Sequence, residues 1–155
     1  MLTDFQVTAR LVMSVALSGL IGLERQLHRR TAGLRTHILV CLGSCLIMLT
    51  SLYIFDIYKN IVALDPARIA AGVITGVGFL GAGAIITQGQ GVKGLTTAAS
   101  LWTVAGIGLA VGCGFYSAAI VTTILTLMVL FFLRYVDGMI LGKEEKIKGG
   151  EGNGV

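Results

Sequence analysis

The chain reads as an all-α, polytopic membrane bundle of five transmembrane helices, with the N-terminus outside and the C-terminus in the cytoplasm. The distribution of charge is the first reason. From Gly94 to Leu133 there is no Asp, Glu, Lys or Arg, and Ile69 to Val92 is equally free of charge, with Lys93 alone between them. About 20 apolar residues are enough to cross a bilayer as a helix. Composition agrees: only 13% of residues are charged, against roughly 25% in an ordinary globular domain, and the mean hydropathy is +0.86. The third reason is where the loop charges fall, taken up once the spans are placed.

Span one covers about Phe5 to Leu23, interrupted by Arg10. No basic leader and no small-residue cleavage site precede it, so it is expected to stay in the membrane. It carries a polar stripe: Gln6, Arg10, Ser14, Ser18 and Gly22 follow one another at i,i+4 and stay close to one helix face. That face should turn inward or to water. Arg10 is its costliest member, since an arginine at a span centre costs about 2.5–3.5 kcal/mol on insertion scales. Two readings of Arg10 stand. It is a structural residue that reaches the outer interface or binds carbonyls, or it is a binding or pathway residue.

Span two covers about 36–55 and carries Cys41 and Cys45 at i,i+4, which read as small buried hydrophobes together with Cys113. Span three, about 69–87, is opened by Asp65-Pro66-Ala67-Arg68. Aspartate before proline is a strong helix start. Asp65 reads as a cap paired with Arg68, or as an outward-facing site for a cation or a partner. Within this span Gly72 and Gly76 form one G-x-x-x-G pair, and Gly78 with Ala82 a second small pair, with Gly81 and Gly83 following. Small residues let helix backbones approach in lipid, so this helix is expected at the centre, packed on more than one side. Gly76, Gly78 and Gly81 also fit the spacing of a dinucleotide fingerprint, but no strand precedes them and the surroundings are apolar, so that reading is rejected.

Span four, about 97–112, begins near Thr96 or Thr97 as a cap, holds Trp102 as a possible interface anchor, and repeats the small-residue pattern at Gly106, Gly108 and Gly112. Span five, about 115–133, is rich in Ile, Leu, Val and Phe without glycine, which places it at the periphery facing lipid. Only Gly112-Cys113-Gly114-Phe115 separates it from span four, so the two should be antiparallel neighbours. Beyond the bundle, taken as residues 1–142, the segment 143–155 is charged and glycine-rich and is expected to be a disordered cytoplasmic tail.

Loop charges set the orientation. Arg25, Arg29, Arg30 and Arg35 follow span one, Lys93 follows span three, and Arg134 and three lysines follow span five. The opposite side holds only Lys59 and Arg68, offset by Asp56 and Asp65. Within the basic loop Glu24 should be paired, most simply with Arg25 or Arg35. The loop serves topology and anionic lipid, or docks a partner or anionic ligand. His28 and His37 do not make a metal set, and no cofactor is expected. No catalytic constellation and no nucleotide loop are present, so the chain is expected not to be an enzyme. No basic patch interleaved with aromatics suggests nucleic acid.

Five stretches together carry a resemblance: 19–26 (GLIGLERQ), 32–44 (AGLRTHILVCLGS), 65–73 (DPARIAAGV), 76–85 (GVGFLGAGAI) and 94–102 (GLTTAASLW). In this order they resemble the MgtC/SapB family of bacterial inner-membrane proteins. The resemblance implies a five-helix membrane domain linked to magnesium limitation, stress and virulence. It implies a regulatory role through other membrane proteins; together with the small-residue helix faces, a homo-oligomer is expected. The family pattern falls on Glu24, Arg25, Arg35, Thr36, His37, Asp65, Arg68, Gly78, Phe79, Gly81, Gly83, Gly94, Thr96, Thr97 and Trp102. Many members carry a soluble domain after the fifth helix, whereas this sequence ends at Val155, so functions that need that domain are not expected of these residues. The alternative is a small ion or solute transporter, Mg2+ among its possible cargoes, that uses the span-one stripe and Asp65.

Overall fold

The computed structural model describes residues 2–88 and 91–132. Five helices form in chain order: α1 (Asp4–Leu27), α2 (Leu34–Tyr58), α3 (Ala67–Ala84), α4 (Leu95–Cys113) and α5 (Tyr116–Phe132). The expected tail at 143–155 and the end of the proposed 1–142 domain lie outside the described residues. The first four helices are each long and apolar enough to cross a membrane, and the described part of α5 is a shorter apolar helix.

Local chemistry sets the helix ends. Thr3 and Gln6 exchange side-chain and backbone hydrogen bonds in a capping box at the start of α1. The Asp65 carboxylate, two residues ahead of α3, accepts from the Ala67 amide at 2.8 Å. Gly114 closes α4 in the left-handed region at φ 90°, with its amide and that of Phe115 returning to the carbonyls of Val111 and Ala110. That turn sends α5 back along α4. Tyr116 sits beside the α4 end, and Leu130 shares a groove with Thr96 and Ser100 at the α4 start, so the two helices run antiparallel as expected.

The core is built by α4 and α2, with α1 laid across both. Ile21, Cys41, Cys45, Val104, Ile107 and Val111 are buried together, and Ala119 and Leu130 of α5 close the cluster. The remaining α5 surface, from Ile120 to Phe132, is largely exposed apolar side chain, as a lipid-facing helix requires. Backbones come closest where α2 meets α4. A Cβ on Gly108 would overlap the Cys41 carbonyl, and one on Gly112 would stand 2.7 Å from the Met48 Cβ.

Two expectations are corrected here. Helix α3 is peripheral within the chain rather than central. Val73, Val77 and Gly81 face α4, with Gly81 against Ala98, but a Cβ added at Gly72, Gly76, Gly78 or Gly83 would meet nothing within 4 Å. Gly106 is equally open. Glycine density marks where a backbone can approach something; it does not say that the neighbour is in the same chain. The second correction concerns the end of span three. Helix α3 stops at Ala84, and Ile86–Gln88 (β1) pairs antiparallel with Gly91–Lys93 (β2) in a two-stranded hairpin. Gly94 then enters α4 at φ 93°, where a Cβ would strike the Ala84 carbonyl. Glycine is required there on both counts.

Candidate functional site

Polar side chains gather at the two ends of the bundle. At the end where α1 stops and α2 and α4 begin, Glu24, Arg25, Thr97 and Ser100 are buried and His37 is fully so. Glu24 is the buried carboxylate of α1, whose other acid, Asp4, is exposed. Its Oε1 lies 3.0 Å from His28 Nδ1 and its Oε2 lies 3.7 Å from Arg25 Nη1. The pairing expected for Glu24 is therefore met by Arg25 and by His28, one turn on, and not by Arg35, which is exposed. Arg25 donates from Nη2 to Thr97 Oγ1 at 3.4 Å. Thr97 thus receives α1 rather than capping α4, and neither it nor the exposed Thr96 caps the helix; the N-cap position is Gly94.

His37 ties α2 to α4. Its Nδ1 lies 2.8 Å from the Gly33 carbonyl, so that nitrogen carries the hydrogen, and its Nε2 lies 3.0 Å from Ser100 Oγ. Gly22 makes this possible. A Cβ there would stand 2.8 Å from the Leu34 Cα, so only glycine lets α1 lie flat against the first turn of α2. Gln26 completes the corner by accepting the Leu34 amide at 3.2 Å. Among the described residues two buried side-chain atoms stay without a hydrogen-bond partner, Glu24 Oε2 and Arg25 Nε. The cluster is an internal lock between three helices, built on a loosely seated ion pair.

Arg10 organises the opposite end. Its Nη1 donates to the Gly112 carbonyl at 2.7 Å, its Nε donates to Tyr116 Oη at 3.0 Å, and its guanidinium lies 5.9 Å from the centre of the Tyr116 ring. Gly112 belongs to the last turn of α4, where carbonyls lack helical partners and the helix dipole favours a cation. The rest of the stripe behaves differently. Ser14 and Ser18 are fully buried and donate to carbonyls of their own helix. Replacing Arg10 with lysine is expected to lower the thermal stability of the purified protein by about 1.5–3 kcal/mol, the worth of a charge-assisted hydrogen bond, because an ammonium cannot hold both partners in a fixed fork. Tyr116→Phe, which removes one bond and keeps the ring, should cost about 1 kcal/mol. A denaturation series in detergent followed by circular dichroism measures both.

The other expected residues are scattered. Thr36 is exposed on α2, and Trp102 is 53% exposed on the outside of α4. Asp65 and Arg68 are exposed at the start of α3, beside a small cavity of about 140 Å³. Among the described residues no ion pair joins Asp65 to Arg68, so that part of the cap reading is corrected: the Asp65 side chain serves the Ala67 amide alone. Among the described residues no group of three or more His, Cys, Asp or Glu could hold a metal ion. Sequence reading missed Ser100 and Tyr116. Each lies far along the chain from its partner, and a lone hydroxyl carries no signal of its own.

These features define a class: a multi-helix membrane protein whose polar groups lock helix ends together, with a core closed by close glycine contacts. Comparison makes it specific, because residues 11–139 match the profile of the MgtC family. The chain belongs to that family. It is 48% identical over 136 residues to YhiD of Escherichia coli K12, covering 86% of this chain and 63% of that protein. It is 42% identical over 130 residues to MgtC of Salmonella typhimurium, covering 84% and 53%, and 39% identical over 137 residues to SapB of Bacillus subtilis, covering 86% and 59%. The chain therefore spans somewhat over half the length of these curated relatives. No solved structure matches it.

Proposed function

We propose that this chain is a non-enzymatic accessory protein of the bacterial inner membrane. It would act in adaptation to magnesium limitation and stress by contacting other membrane proteins and further copies of itself. In this reading five helices span the bilayer, the Arg25–Arg35 corner and the 86–93 hairpin face the cytoplasm, and the Arg10 end faces out.

One observation supports it above the others. Gly72, Gly76, Phe79 and Gly83 fall on one face of α3, Phe79 is 81% exposed, and a Cβ added at any of the three glycines would meet nothing within 4 Å among the described residues. Glycine lowers the stability of an isolated helix by about 1 kcal/mol relative to alanine. Facing lipid it gains nothing in return, whereas against another helix it permits close backbone contact. Gly76→Ile is expected to leave the melting temperature of the isolated protein unchanged or higher. It should remove the partner proteins recovered with the native chain from cells grown in low magnesium. Equal recovery with the variant, or repeated absence of any partner with the native chain, would count against the reading.

The name of the E. coli relative proposes magnesium transport, which favours a second reading in which this chain moves an ion itself. Against it, the buried serines of α1 are engaged with their own helix and Arg10 with the α4 end. Ion flux through the purified chain in liposomes, changed by Asp65→Asn, would establish transport; no flux for common ions would dismiss it.

A further inference from the structure

A cavity of about 480 Å³ opens at the end of the bundle where α1 begins and α2 and α4 stop. It is independent of the α3 face on which the accessory reading rests. Its walls are mainly apolar, with Val7, Leu49 and Leu52 among them, and Arg10 and Asp4 also line it.

The Arg10 guanidinium has five N–H donors. Nε and Nη1 serve Tyr116 and Gly112, but Nη2 has no acceptor among the described residues. A helical side chain leans toward the N-terminus of its helix, the end at which Asp4, exposed in the first turn of α1, lines the same cavity. Asp56, the other carboxylate at the cavity, is held by Lys59. The cavity is therefore lined by a guanidinium with a nitrogen to spare, by an exposed carboxylate with no side-chain partner among the described residues, and by hydrocarbon. A ligand that satisfies all three has an anionic oxygen, an ammonium a short distance from it, and an apolar chain.

We propose that this cavity binds the headgroup and upper acyl chain of an ethanolamine phospholipid. The phosphodiester would accept from Arg10 Nη2, the ammonium would lie by Asp4, and the chain would run along Val7, Leu49 and Leu52. A headgroup with phosphate but no cation, such as phosphatidylglycerol, meets Arg10 and leaves Asp4 unanswered.

Native mass spectrometry of the full chain in detergent tests this, with ethanolamine phospholipid and phosphatidylglycerol of identical acyl chains added in turn. The expected result is one ethanolamine lipid retained per chain, several-fold over phosphatidylglycerol. Asp4→Asn, an exposed change that spares the fold, should bring the two lipids level. Val7→Trp fills the cavity while leaving the Arg10 partners Tyr116 and Gly112 in the sequence, and should abolish retention while the helical spectrum is preserved. Equal retention of the two lipids by the native chain would overturn the proposal, as would a preference unmoved by Asp4→Asn. Displacement of the lipid by an equal concentration of soluble phosphoethanolamine would show that the acyl chain contributes nothing, and would overturn the lipid assignment.

Discussion

Gly108→Leu is expected to yield no folded protein, and Gly108→Ala a protein destabilised by about 1–3 kcal/mol, the usual cost of overpacking a close contact. Any Cβ at this position overlaps the Cys41 carbonyl and approaches the Ser44 Cβ to 2.8 Å. The obstacle is backbone, which has no rotamer through which to move away. Helices α2 and α4 would have to separate along their whole crossing, and that crossing holds Cys41, Cys45, Val104 and Val111 in the core. Gly106 supplies the control. It lies two residues away on the same helix with open space around it, so Gly106→Ala should be neutral or stabilising by up to about 1 kcal/mol through helix propensity. The yield of folded Gly108→Leu and thermal denaturation of the two alanine variants in one detergent separate the outcomes. A Gly108→Ala protein as stable as Gly106→Ala would show that the α2–α4 contact is not as close as described.

The second large effect is expected at Glu24. Truncating it to alanine leaves the Arg25 guanidinium, 4% exposed, without its counter-charge, and breaking a buried pair from one side costs about 3–5 kcal/mol. The Glu24→Leu, Arg25→Met double variant should be far more stable than Glu24→Ala, because replacing both charges by apolar groups of similar size removes the unpaired ion. The pair is loosely seated, at 3.7 Å with an unpartnered atom on each side, so the double variant should approach the native protein. Additive losses in the single and double variants would show that the two residues do not act as a pair.

Much of this architecture is legible from hydropathy alone, because an uncharged run long enough to span has few alternatives to a helix in lipid. The turn at Gly112–Phe115 and the inward stripe of α1 were also legible, the first from its length and the second from its i,i+4 spacing. What stayed hidden was the phase of one helix against another. Gly106 and Gly108 belong to the same small-residue pattern, yet only Gly108 meets Cys41. Helix α3 looked central because its glycines permit a close neighbour, and among the described residues none packs on that face. The hairpin at 86–93 escaped notice because two three-residue strands are too short to display an alternating pattern. At the polar corner, Glu24, Arg25 and His37 stood out as a motif. Thr97 stood out too, but as a cap of α4, and Ser100 not at all; as partners of Arg25 and His37 they lie 72 and 63 positions away and only folding brings them together.

The open face of α3 carries the functional reading, and a photo-reactive amino acid at Phe79 tests it most directly. In membranes of living cells under low magnesium, illumination should give discrete protein adducts, identified by mass and lost when Gly76 is changed to isoleucine. The same probe at Val121, on the lipid-facing side of α5, should give lipid adducts alone. Lipid adducts alone at Phe79 as well would mean that α3 faces the bilayer, and that contact with other proteins is not made through its glycines.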